Sequence, residues 1–307
     1  MRVRVLGSAA GGGFPQWNCG CSNCRRLRLG TLRATPRSQA QLAISSDNEH
    51  WFLLGASPDL RYQIEAFPEL HPRGAGRNSP LAGVVLTGAD LDHTLGLLLL
   101  REWQRLHVYS TGTVQDVLLS SNTIFRLLER MPDQIRWHSA APDASFELTA
   151  PDGVRSGLMA RLLALPGGLP AYAPPSAGVP PEDAVTALFL TAPSGARMAY
   201  LPGLPDVSAA LLAELQGCDA ILVDGTFWTD DELVRVEGFG RLARDIGHLP
   251  VSGDGGSLQR LADLAGGRRI YVHINNTNPM LDEDSTEHAL VRERGWEIAF
   301  DGMELNL

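Results

Sequence analysis

The chain contains no lysine, so all of its positive charge is arginine, a bias that carries no functional reading by itself. Acidic residues outnumber basic ones by 35 to 26, giving a formal net charge of −9. A nucleic-acid surface needs a basic stripe, so that class is excluded as a first reading, and polyanionic substrates are disfavoured. No stretch of 18 or more apolar residues occurs, so no segment reads as a membrane-spanning helix. The opening Met1-Arg2-Val3-Arg4-Val5-Leu6-Gly7 alternates like a short strand and lacks the apolar centre of a secretory signal. The expectation is a cytoplasmic protein that is not membrane-embedded.

Cysteine is scarce too, with four in 307 residues, and three are crowded into Cys19-Gly20-Cys21-Ser22-Asn23-Cys24. In a reducing compartment this C-x-C-x-x-C spacing suits a metal clip better than a disulfide with a spare thiol. Closely spaced thiolates favour a tetrahedral structural zinc with a fourth ligand from elsewhere. Free or redox-active thiols are the alternative. Cys218 reads as a small buried apolar side chain at a strand entrance.

A second cluster organises the middle of the chain. The apolar run Leu81 to Leu86 reads as a buried strand, and Leu95 through Leu106 as a helix. Between them Asp90, Asp92 and His93 share one short turn. Strand-end turns that deliver Asp and His together can hold a metal on a rigid scaffold. The competing reading is an Asp N-cap with His93 hydrogen-bonded beneath it.

Further strands are expected at Gln41 to Ser45, Trp51 to Leu54, Val108-Tyr109, Ile135 to Trp137, Phe146 to Leu148 and Leu158 to Leu165. Later ones are expected at Ala184 to Thr191, Arg197 to Leu201, Ala220 to Val223 and Arg269 to His273. Helices are expected around Val114 to Ser120, Ile124 to Arg130, Val207 to Leu215 and Leu258 to Leu264. Pro166 to Pro181 is a Pro/Gly-rich loop too long for a simple connector, so it reads as a lid or an exposed excursion. Strands and helices alternate throughout, which predicts a sheet core with helices outside. At this length one domain is expected over 1–307, with the cysteine clip on a loop at about residues 11–30.

Three strand ends carry polar groups: Asp90/Asp92/His93, Asp224 and His273. A lone histidine such as His273 is more often a satisfied core residue than a ligand, but the polar turn Asn275-Asn276-Thr277-Asn278 beside it shifts the balance toward function. His248 sits at a plausible site edge. His50, His71, His107, His138 and His288 fall in loops or on apparent solvent faces.

Seven segments in order along nearly the whole chain carry a specific resemblance. They are Val5 to Cys19, Ala56 to Arg61, Ile64 to Pro68, Asp92-His93-Thr94 with Gly96-Leu97, Val223 to Trp228, Gly247 to Pro250, and His273 to Pro279. Together they resemble the coenzyme pyrroloquinoline quinone synthesis protein B family, a distant branch of the metallo-β-lactamase superfamily. The resemblance implies an αββα sandwich, two mixed sheets flanked by helices on both outer faces, with a metal site at one edge.

The departures from the superfamily pattern are as informative. Its hydrolases carry H-x-H-x-D-H, where this chain reads Gly88-Ala89-Asp90-Leu91-Asp92-His93. A third histidine expected after Leu165 finds Pro166 to Pro170, and a bridging carboxylate expected after Leu201 finds Pro202-Gly203. Asp92, His93 and His273 survive, with Asp90 in reserve. Two nitrogens and a carboxylate with open positions suit non-haem iron.

The resemblance therefore implies an iron(II)- and oxygen-dependent hydroxylase acting on a tyrosine-derived (Glu-Tyr) precursor in quinone-cofactor synthesis. Asp92, His93 and His273 are its expected metal ligands, for iron(II) or another divalent ion, and Asp90 adds a carboxylate or orients His93. His248 is expected to donate or accept a proton, by analogy with related tRNA-processing nucleases, and Asp224 to hydrogen-bond a ligand or the substrate amine. Cys19, Cys21 and Cys24 are the expected structural-zinc ligands. In related cyclic phosphodiesterases the fourth ligand is a histidine; the matching position here is Asn276, a poor zinc ligand, which leaves Asn276, water or a residue from another loop as the fourth partner. Partners expected are the dipeptide precursor, other enzymes of the pathway and a second copy in a homodimer. The other readings are a carrier that moves the cofactor or its precursor across the membrane, and a residual metal-dependent hydrolase.

Overall fold

A computed structural model of the chain describes residues 1–173, 178–179, 181–238 and 240–307. Residues 174–177 and 180, within the Pro166 to Pro181 segment, lie outside the described residues. Fourteen strands are found among those described. The first seven are β1 (Arg2–Gly7), β2 (Gln41–Ser45), β3 (Trp51–Leu54), β4 (Leu81–Val85), β5 (Leu106–Ser110), β6 (Ile135–Ser139) and β7 (Ser145–Thr149). The rest are β8 (Arg155–Ala164), β9 (Thr186–Thr191), β10 (Arg197–Leu201), β11 (Ala220–Asp224), β12 (Arg268–Val272), β13 (Glu297–Ile298) and β14 (Glu304–Asn306). They form two seven-stranded mixed sheets, ordered β14-β1-β2-β3-β4-β5-β6 and β13-β12-β11-β10-β9-β8-β7. The helices are α1 (Ser22–Arg28), α2 (Leu60–Glu65), α3 (Leu91–Thr94), α4 (Gly112–Leu119), α5 (Ala209–Leu215), α6 (Glu232–Glu237), α7 (Ser257–Arg260) and α8 (Thr286–Glu293). No helix of the described residues is long and apolar enough to cross a membrane.

The chain divides into two compact units: Met1–Leu6, Gln41–Arg197 and Gly302–Leu307, and then Gly7–Ala40 with Met198–Asp301. In the first unit β3, β4, β5 and β6 pair in parallel. Every residue of β3 and β4 is buried, as expected of parallel strands covered on both faces. Trp51 meets Phe67 edge-to-face at 5.0 Å in the core of this unit. On the other side of the strands, Tyr109 stacks on Phe146 of β7 at 5.4 Å, and His107 Nδ1 bonds the Thr149 carbonyl at 2.9 Å. His107, expected on a solvent face, is thus buried between strands. Its position opposite a polar carbonyl lets an imidazole replace an apolar residue there.

The second unit is built on β10, β11, β12 and β13, all parallel. Tyr271 stacks on Trp296 at 4.5 Å in its core. The glycine-rich loop after β1 is tied down by Ala9, which bridges to Gln39 and Ile274, and by the Phe14–Arg37 backbone pair. Cys218 is buried, as expected.

Three expected helices take a different form. Ile124 to Arg130 is a 3-10 helix over Thr123–Glu129, and of Leu258 to Leu264 only the start is helical, in α7. Leu95 to Leu106 is not an α-helix: α3 ends at Thr94, a 3-10 helix covers Leu95–Arg101, and Leu106 begins β5. The cause is the close approach of Gly96 to the chain before α2. Its N–H donates to Ala56 O at 2.8 Å, and a Cβ there would lie 2.3 Å from Ser57 O. Backbone cannot give way as a flexible side chain can, so Gly96→Ala should cost about 1–3 kcal/mol by overpacking. Urea unfolding of the variant checks this, with the midpoint lowered and the slope unchanged.

Candidate metal centre

The turn after β4 places the first group of candidate residues. Gly88 bridges to Val185, and Thr87 O accepts Thr186 N at 2.8 Å, so the chain is held in line with β9 as it leaves the sheet. Asp90 occupies the N-cap position of α3 in an extended conformation, yet its side chain makes no capping bond. The backbone does the holding instead: Asp90 O accepts His93 N at 3.0 Å and Thr94 Oγ1 at 2.9 Å. His93 O accepts Ala56 N at 2.7 Å. Asp92 and His93 are thereby side by side, with Nε2 and Oδ2 3.8 Å apart and the imidazole buried.

In the second unit β11 ends in Asp224, whose side chain is fully buried. Oδ1 accepts Thr226 N at 2.9 Å and Thr226 Oγ1 at 2.5 Å; Oδ2 accepts Leu204 N at 3.0 Å and His248 Nδ1 at 2.6 Å. Burial alone would push this carboxyl up, but His248, and then His273 and Thr226, outweigh it and hold it below the usual range. All four acceptor positions of the carboxylate are taken. These bonds fix the orientation of Thr226 and His248 about it.

Two tautomers follow. His248 donates from Nδ1 to Asp224, leaving Nε2 as the lone-pair nitrogen, on a ring that is 19% exposed. Thr226 has one proton, and the ionised Asp224 can only accept it. The His273 carbonyl, 2.9 Å from Thr226 Oγ1, is a second acceptor, but the charged carboxylate at 2.5 Å is the nearer and stronger one. With the proton there, the hydroxyl accepts from His273 Nδ1 at 2.8 Å and the His273 lone pair lies on Nε2. His273 itself sits at φ 58, uncommon for a side-chain-bearing residue, immediately after β12. The His248 and His273 rings lie nearly parallel, 5.5 Å apart. One ligand atom from each of Asp224, His248 and His273 falls within 4.8 Å of the others. Gly247, at φ 84 as the C-cap of a 3-10 turn, aims His248 inward.

The cysteines form a separate cage in this unit. The three sulfurs lie within 4.8 Å of one another, as the edges of a tetrahedron with zinc–sulfur bonds of about 2.3 Å require. Backbone N–H groups of Cys21 and Cys24 donate to Cys19 Sγ and Cys21 Sγ. The Asn276 amide nitrogen is 3.1, 3.5 and 3.4 Å from the sulfurs of Cys19, Cys21 and Cys24. In this orientation the amide donates to the sulfurs; turned over, it would present its carbonyl oxygen to them instead. Burial raises the Cys19 and Cys24 thiols above their ordinary range, so the trio favours protons until a cation offsets the burial.

Sequence reading passed over two residues of this region. Thr226 looks like an ordinary turn residue after a strand, and only tertiary structure reveals its bridge. Glu232, the first residue of α6, is 2% exposed and accepts from Thr277 Oγ1 and Trp228 N, each at 2.5 Å. Thr277 in turn accepts from Asn275 Nδ2 at 2.6 Å, so α6 is tied to the turn after His273.

Comparison with known proteins defines the class. The family model described as "Beta-lactamase superfamily domain" matches residues 50–274. Coenzyme PQQ synthesis protein B of Azotobacter vinelandii is 43% identical over 307 residues, covering 100% of both chains. The protein of that description from Gluconacetobacter diazotrophicus is 44% identical over 305 residues, covering 98% of each. The crystal structure of Zn(2+)-bound PqqB from Methylobacterium extorquens superposes with a TM-score of 0.92 at 41% identity, over 100% of both chains. The chain belongs to the coenzyme PQQ synthesis protein B family, with the metallo-β-lactamase fold. A diphosphatase of the PhnP family, at 17% identity and a TM-score of 0.68, shares the fold.

Glu232 generates a pH prediction. Burial lifts its carboxyl to about 7, against the hydrogen bonds from Thr277 and Trp228 that lower it. The folded protein therefore binds this proton more tightly than the unfolded chain. The stability contributed by this group is fully present below the unfolded carboxyl value and is lost as pH rises toward and through 7, by up to roughly 3 kcal/mol. Glu232→Gln should flatten that slope in denaturant titrations between pH 4.5 and 7.5; an unchanged slope would remove the assignment.

Proposed function

We propose that the chain acts in the biosynthesis of pyrroloquinoline quinone as an iron(II)- and oxygen-dependent hydroxylase of a tyrosine-derived precursor. The pathway is supported by the full-length relatives, whose name is coenzyme PQQ synthesis protein B. The observation that carries the chemistry is the donor set. His273 has its Nε2 lone pair made available by Thr226, and Asp92 and His93 stand paired on their own turn. Two imidazoles and one carboxylate, with other positions open, are the set that non-haem iron takes.

In this reading Asp92, His93 and His273 hold one divalent ion, which when bound supplies oxygen activation. His248 gives or takes a proton at Nε2, kept in register by the Asp224 carboxylate at Nδ1. Asp90 offers a second carboxylate on the same turn. Cys19, Cys21 and Cys24 hold a structural zinc, with Asn276 as the fourth donor. That the Methylobacterium extorquens relative is described as zinc-bound supports divalent-metal binding and leaves the choice of working metal to experiment.

Metal-free protein reconstituted anaerobically with iron(II), then given oxygen, a two-electron reductant such as ascorbate and Glu-Tyr dipeptides, should consume oxygen and yield hydroxylated product, one oxygen atom entering the product and the other leaving as water. Zinc should not substitute. No product with iron, or equal product with zinc, overturns the hydroxylase; tight ligand binding without turnover points to a carrier.

The role of Thr226 gives a second test. Thr226→Val keeps the shape and deletes the hydroxyl that accepts His273 Nδ1. Divalent-metal affinity at this site should fall about 10–100-fold, as for other losses of a ligand's hydrogen-bond partner. Competition with a chromophoric chelator measures it, with the cysteine cage preloaded with zinc.

A further inference from the structure

One feature of the Pro166 to Pro181 segment belongs to none of these roles. Within the first unit, a tight turn with Ala173 N on Pro170 O at 2.8 Å presents Tyr172. Leu169, Tyr172, Ala173 and Val179 pack against the core of that unit. The Tyr172 hydroxyl donates to the carbonyl of Ala89, the residue before Asp90.

We infer that Tyr172 is a positioning residue for the Asp90–His93 turn, fixing its first carbonyl and so the direction in which Asp90, Asp92 and His93 project. The turn has four backbone carbonyls in play, of which Leu91 O accepts Leu95 N at the end of α3. Asp90 O is held from within the turn, by His93 N and Thr94 Oγ1. His93 O is held by Ala56 N, from the segment that precedes α2. Ala89 O receives only a long contact from Thr94 Oγ1, at 3.4 Å, besides the phenol. Tyr172 is therefore the clamp at the start of the turn, as Ala56 is at its end.

The phenol is suited to the task. Burial first, and the Asp90 carboxylate second, push it up to about 12, so it remains a protonated donor across the working range. Phenylalanine would keep the ring and lose only the clamp. A neutral hydrogen bond of this kind is worth about a tenfold shift in a local opening equilibrium.

Relevance to metal binding rests on the reading of Asp92 and His93 as ligands; the clamp itself does not. The test uses full-length wild type, Tyr172→Phe and, as a control, Tyr62→Phe, whose ring is exposed. In metal-free protein, amide exchange of a peptide spanning residues 87–95 should be about tenfold faster in Tyr172→Phe, with β2 and β3 unchanged. Co2+, added after zinc has filled the cysteine cage, should bind about tenfold more weakly and show an altered d–d spectrum. Tyr62→Phe should match wild type in every measurement. Exchange within twofold of wild type overturns the inference, whatever Co2+ does. Faster exchange with unchanged Co2+ affinity and spectrum upholds the clamp and instead overturns the ligand role of Asp92 and His93.

Discussion

A fully buried carboxylate at the end of β11 is the constraint on which the second unit's site depends. Removing an ion from water is costly, and Asp224 is tolerated there because four donors converge on its two oxygens. Each donor is then committed. Leu204 N ties the loop after β10 to β11, Thr226 folds the strand-end turn back on itself, and His248 surrenders its Nδ1 proton to the pair. The Thr226 hydroxyl, having spent its proton on Asp224, can only accept from His273. One buried charge thus sets the tautomers of two imidazoles. It does so without touching a ligand, as partners one step removed from a metal commonly do.

This arrangement explains how the chain tolerates its departures from the H-x-H-x-D-H pattern. With glycine and aspartate where the first two histidines belong, the turn after β4 offers carboxylates and a single imidazole. The superfamily scaffold persists because the parallel strands need only an apolar interior and short polar turns at their ends. Ligand identity in those turns is nearly independent of the core. Changing it alters which ions fit, hard carboxylate oxygen gaining at the expense of nitrogen, while leaving the sheets intact.

Most strands were legible because their apolar runs are bounded by turn residues; β2 and β3 fall where Gln41 to Ser45 and Trp51 to Leu54 predict. The Asp/His turn was legible for the same reason. What periodicity could not convey was distance between remote backbones. The leucines after Gly96 look helical, but the contact of Gly96 with Ala56 and Ser57 imposes a tighter winding. Short elements such as β13 and β14 carry too few residues to show a period. The helix α8 is absent from the sequence expectations although Ser285 caps it, accepting His288 N at 3.0 Å. Thr226 and Tyr172 escaped because a hydroxyl's importance lies wholly in what the fold brings opposite it. Spacing alone marked the strand ends that carry Asp92, His93 and His273; their expected grouping as metal ligands came from the family resemblance.

The cysteine cage and His273 are mechanically one feature of the second unit. His273 ends β12, and Asn276, whose amide faces all three sulfurs, follows three residues later on the same turn. Asn23, inside α1, donates to the carbonyls of Asn276 and Asn278 at 3.1 and 2.9 Å, so the helix that carries Cys24 also grips that turn. On the opposite side Glu232 holds Thr277, and Glu237, at the far end of α6, accepts from Cys19 Sγ at 3.4 Å. A left-handed residue such as His273 stores strain and keeps its conformation only where its surroundings over-determine it. The adjoining backbone supplies that over-determination: Ile274 N donates to Ser8 O at 3.0 Å, Ala10 N to Ile274 O at 2.9 Å and Asn275 N to Thr226 O at 3.1 Å. Asn276, one step further along, is gripped at its carbonyl by Asn23 and faces the sulfurs with its amide, so the cysteine loop and the imidazole of His273 hang on one short stretch of chain.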